Sequence, residues 1–73
     1  MEIEQLTQLI QANPTDEHLR LERGKRHWQQ SNIPACFADY DAAIALNPNS
    51  PAKQLKAMAL QILEFYNRDM YNP

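Results

Sequence analysis

Seventy-three residues with a formal net charge of −2, rich in Ala, Leu, Gln and Glu and holding one Gly, describe at most one small domain, helical rather than stranded. The charge gives no electrostatic reason to expect nucleic acid, the single Cys excludes an internal disulfide, and His18, His27 and Cys36 have no metal-ligand spacing, so no metal or other cofactor is expected. There is no run of about 18 apolar residues, and the N-terminal Met-Glu-Ile-Glu lacks the basic and apolar regions of a signal peptide; both point to a cytoplasmic chain away from membranes.

Residues 2–12 read as a helix. Ile3, Leu6, Leu9 and Ile10 recur at helical spacing as one stripe, and Glu2 and Glu4 stand in the first turn, where negative charge suits the helix dipole. Asn13-Pro14 ends it, and Thr15 or Asp16 can cap the next helix. That helix spans residues 17–30, with Leu19, Leu21, Gly24, His27 and Trp28 among many charges. A mid-helix Gly costs about 1 kcal/mol against Ala, so Gly24 predicts a close helix contact, answered by the small side chains of Cys36 and Ala43.

Arg20, Arg23, Lys25 and Arg26 make a basic run in this helix. It offers a patch for nucleic acid, phosphate or another acidic ligand. The plainer reading is a solvated face paired with Asp16, Glu17 and Glu22, as is usual on small helical proteins.

Ser31 and Asn32 break the helix, because their short side chains bond nearby backbone, and Pro34 fits the first turn of a new one. Ile33–Leu46 then places Ile33, Cys36, Phe37, Tyr40, Ala43 and Ile44 on one stripe, with Asp39, Asp41, Ala42 and Ala45 outside it. Asn47-Pro48 closes this segment, and Ser50-Pro51 is a strong start for the last helix, residues 51–67. Its apolar side chains, from Ala52 and Leu55 through Met58, Ala59, Ile62 and Leu63 to Phe65 and Tyr66, fill an arc of roughly 160°, wider than packing on one neighbour needs. A tail, residues 68–73, adds Met70 and Tyr71.

Asn13-Pro14 recurs 34 residues on as Asn47-Pro48, and the same shift lays Ile3 on Phe37, Leu6 on Tyr40, Leu9 on Ala43 and Ile10 on Ile44. A period of about 34 residues built from paired helices resembles the tetratricopeptide (TPR) repeat family over most of the chain. At the positions of that pattern stand Arg20, Arg23-Gly24, His27, Cys36, Tyr40 and Pro48; Gly24 and Pro48 match, Tyr40 keeps an aromatic, and Cys36 keeps a small residue. Ala43 stands where the family also favours Ala. Arg20, Arg23 and His27 depart, which is expected to weaken packing of their helix on the one before it.

The resemblance implies an all-α, four-helix antiparallel array, a right-handed solenoid fragment. One complete repeat, residues 17–48, would lie between a half-repeat helix and a terminal capping helix. It also implies a non-enzymatic interaction module or scaffold whose first helices line a groove. Here the groove would present Leu21, Lys25 and Trp28, joined by Leu55, Ala59 and Ile62 of the last helix, with Gly24, Cys36, Tyr40, Ala43 and Pro48 serving the packing motif. The partner would be a protein or peptide. Short length and the wide apolar arc favour a second copy of the chain, giving a homodimer. The paired Lys and Asn with which some family members hold a C-terminal carboxylate are not met by Leu21, Glu22 and Lys25. Cys36, near the start of its helix, is the one candidate thiol nucleophile, but a small residue in a packing slot reads as structural.

Overall fold

A computed structural model describes residues 2–71 of the chain. They form four helices, α1 (Ile3–Ala12), α2 (Glu17–Gln29), α3 (Ile33–Leu46) and α4 (Ala52–Tyr71), with no strand among the described residues. Each helix packs chiefly on its chain neighbour, α1 on α2, α2 on α3 and α3 on α4. Links of three to five residues leave no room for a crossover, so successive helices fold back on one another. The result is elongated, 48 × 25 × 14 Å.

Each joint has its own chemistry. Asp16 Oδ1 accepts the His18 amide (3.1 Å) and starts α2. At the α2–α3 joint Ser31 is left-handed, with φ 60°. Its amide donates to the Trp28 carbonyl (3.0 Å) and the Asn32 amide to the His27 carbonyl (2.9 Å), the paired bonds of a Schellman turn with serine in the glycine slot. Asn32 then caps α3 through the Ala35 amide, and Pro34 occupies the first turn. Ser50 is buried; its hydroxyl accepts the Ala52 amide (3.1 Å) and donates to Glu17 Oε2 (2.8 Å), while Asn47 Nδ2 donates to Glu17 Oε1 (3.1 Å). These bonds from Asn47 and Ser50 hold the Glu17 carboxyl below the usual range and tie the start of α2 to the α3–α4 joint.

The core is Leu21, Cys36, Tyr40, Ala43 and Ala52, flanked by half-buried Trp28, Phe37, Ile44 and Leu55. Leu6 and Ile10 of α1 are buried too, whereas Leu9, expected on the same stripe, is exposed. Leu9 lies about 60° off the line through Leu6 at 100° per residue, and α1 packs chiefly against α2.

Gly24 does mark a close helix contact, and its nearest neighbours there are Tyr40 and Asp39 rather than Cys36 and Ala43. A Cβ at this position would stand 2.6 Å from Tyr40 Cε1, 2.7 Å from Tyr40 Cδ1 and 3.3 Å from Asp39 Cβ, so the missing side chain makes room for an aromatic ring. Four boundaries also differ from the sequence reading: α1 and α4 each begin one residue later, at Ile3 and Ala52, and two helix ends move. Helix α2 stops at Gln29 as the Schellman turn closes. Helix α4 passes the expected stop near Asn67 and reaches Tyr71, because residues 68–71 contain neither Gly nor Pro. The apolar contribution expected of the Met70 and Tyr71 side chains, and residues 72–73 of the tail, lie outside the described residues.

Candidate functional site

Twenty residues make α4 about 30 Å long, against about 21 Å for the 14 residues of α3 beside it. Its first turns are anchored by Ala52, Leu55 and Ala59, and its later turns outrun their support. A groove of about 250 Å³ results between α2 and α4. Helix α2 gives it Lys25, Trp28 and Gln29, the Tyr40 ring lies beneath, and α4 gives Leu55, Met58, Ala59 and Ile62.

Of the docking residues read from the sequence, Lys25, Trp28, Leu55, Ala59 and Ile62 therefore come together. Leu21 does not: it is 5% exposed and belongs to the core beneath the groove. Met58 is the wall that sequence reasoning missed. Its place on the wide apolar arc of the last helix was the signal for an exposed wall.

A second hollow of about 400 Å³ continues along α4, lined by Met58, Gln61, Ile62, Phe65 and Tyr66. Met58 and Ile62 border both, so the two form one surface. Met58 is 57% exposed, Ile62 44%, and Phe65 and Tyr66 63% each, with the two rings edge to face at 6.0 Å. Isolated exposed apolar residues are ordinary; a contiguous patch of this kind marks a contact surface. Charge is confined to the rim, where Lys25 lies 3.4 Å and His18 3.7 Å from Glu22 Oε1.

Within the basic run, Lys25 pairs with Glu22 at the surface as expected, whereas Arg23 turns inward. Arg23 Nε donates to Asp39 Oδ2 (2.8 Å) and Nη2 to Asp39 Oδ1 (2.6 Å), while Nη1 donates to Thr7 Oγ1 (3.1 Å). Thr7 in turn donates to the Ile3 carbonyl, 2.8 Å away. The pair is largely dry, with 19% of the Arg23 and 5% of the Asp39 side chain exposed. The bond to Asp39 raises the Arg23 pKa further. His27 Nε2 adds a contact at 3.7 Å to Asp39 Oδ2. Asp39, read as lying outside the α3 stripe, is thus buried, and the departures Arg23 and His27 join α1, α2 and α3 instead of loosening them. Arg26 reaches the Gln29 side chain (3.3 Å).

Cys36 is fully buried, and burial pushes its thiol pKa up, the opposite of what a nucleophilic thiolate needs. Burial likewise pushes the Tyr40 hydroxyl up. Among the described residues no group of three His, Cys, Asp or Glu could hold a metal ion, and no helix is long and apolar enough to cross a membrane. No family model, curated protein or solved structure matches the chain.

Proposed function

We propose that this chain is a non-enzymatic protein–protein interaction module of TPR type that self-associates through the apolar face of α4. The carrying observation is the continuous exposed apolar surface of Met58, Ile62, Phe65 and Tyr66, which runs into a groove with Trp28 at its edge. A half-buried Trp beside aliphatic walls is the makeup of a binding hot spot. The TPR reading is carried by residues alone. In its favour, Gly24 packs under Tyr40, and Cys36, Tyr40 and Ala43 all sit in the core between the two helices of the 17–48 unit. Helix α1 then stands as the half-repeat before that unit and α4 as the helix after it. The burial of Cys36, which raises its thiol pKa, favours binding over thiol catalysis.

Light scattering across a concentration series tests this. The chain is expected to run as a homo-oligomer, and Phe65→Glu, which alters a 63% exposed position, to run as a folded monomer. A wild-type chain that stays monomeric at the highest concentration overturns self-association.

A further inference from the structure

Resting on that reading for the groove's importance, we infer that Glu17 is its positioning residue: the Glu17 carboxylate pins α4 to α2 where both helices start, and so sets how far the groove between them opens. Successive helices fold back on one another, so α2 and α4 run in the same direction, and both set out from this one joint. Glu17 is the first residue of α2, and the Ser50 hydroxyl accepts the Ala52 amide at the start of α4. The bond from that hydroxyl to Glu17 Oε2 (2.8 Å) therefore joins the beginning of one groove wall to the beginning of the other. Asn47 Nδ2, 3.1 Å from Oε1, occupies the second carboxylate oxygen and fixes the carboxylate in place. The groove lies further along the same two helices, at Lys25 and Trp28 on α2 and at Leu55 and Ile62 on α4. At 1.5 Å per residue Ile62 stands about 15 Å beyond Ala52, so a tilt of α4 about its start displaces the far part of the groove wall most.

The joint is built to bear on that tilt. Ala52 is fully buried in the core beside Leu21, which gives α4 a pivot without a long side chain to lock its angle. The other polar side-chain tie on α4 among the described residues is Lys56 to Asp41 of α3. Those side chains are 32% and 56% exposed, and an exposed ion pair holds little. The Glu17 clasp is of the stronger kind, since both of its bonds end on an ionised carboxylate. Ser50, moreover, is 2% exposed. Without Glu17 its buried hydroxyl loses its acceptor, a state that folded proteins avoid, and the start of α4 must move outward for the hydroxyl to reach water.

Trp28 is the single Trp of the chain and lines the groove, so its accessibility reports the opening directly. Acrylamide quenching of Trp28 is measured in the Phe65→Glu chain, where a second copy on α4 cannot shield the ring, and a urea titration is run beside it. Glu17→Ala is expected to raise the quenching constant about twofold while the helix content by circular dichroism stays that of the parent. A clasp that only stabilises gives a different pair of results, a lower urea midpoint with unchanged quenching, and that pair overturns the inference. Quenching and midpoint both unchanged overturn it too. If Glu17→Ala does not fold, Asn47→Ala, which removes one of the two bonds and leaves Ser50 on the carboxylate, is read in its place: quenching above the parent supports the inference, and quenching equal to the parent overturns it. A wild-type chain that stays monomeric overturns self-association alone, because the quenching comparison is made on chains that do not associate.

Discussion

Arg23 and Asp39 meet between helices with little water around them, and the Arg23 guanidinium also holds Thr7 of α1. Removing one partner of such a pair strands a charge, at about 3–5 kcal/mol. A chain of 73 residues has roughly 4–11 kcal/mol of stability in all. Arg23→Ala, which leaves Asp39 with only the 3.7 Å His27 contact, is therefore expected to remove about 3–5 kcal/mol, a large share of the total. The double variant Arg23→Leu/Asp39→Leu, which leaves no stranded charge, should lose less than Arg23→Ala alone; urea titrations of both check this. A larger loss in the double variant would mean that the pair itself stabilises the fold. Gly24 gives a second residue-level test. Helix propensity favours Gly24→Ala by about 1 kcal/mol, but a Cβ lying 2.6 Å from a buried ring overpacks the contact, at about 1–3 kcal/mol. The variant should melt lower than the parent, by about 4–8 °C per kcal/mol lost. A rise in melting temperature would contradict the packing described.

At the scale of elements, the α2–α3 hairpin is closed by Ser31 at φ 60°, where an L side chain is strained by about 1–2 kcal/mol. Ser31→Gly should relieve part of this and raise stability by about 0.5–1 kcal/mol, read as a shift in the denaturation midpoint. The helices themselves were legible in the sequence because their signals are local. Asp16, Asn32 with Pro34, and Ser50 with Pro51 announce helix starts within a few residues, and a 100° repeat separates stripe from rim. Two features were not legible for a physical reason. The Arg23–Asp39 bond joins residues 16 positions apart, and a charge facing the core looks, by composition, like a charge facing water. The partner of Gly24 depends on how deeply two helices approach, and small-on-small and small-under-ring contacts share one spacing. The α4 groove was readable apart from Leu21 and Met58. Both lie on the apolar faces the sequence defines, but which part of a face is covered depends on the angle between helices.

For the whole molecule, the decisive asymmetry is that α4 extends past α3, its chief packing partner, while keeping large apolar side chains there. A helical segment without tertiary support is marginal in water, so the later turns of α4 should open easily in a lone chain and close when a second chain covers them. Amide hydrogen exchange at residues 60–66, followed over about a hundredfold range of protein concentration, tests this most directly, since mass action makes protection by a partner copy concentration-dependent. The account predicts weak protection in dilute solution that grows with concentration, while the amides of α2 and α3 hold steady. Protection of residues 60–66 that stays the same from dilute to concentrated solution would contradict it.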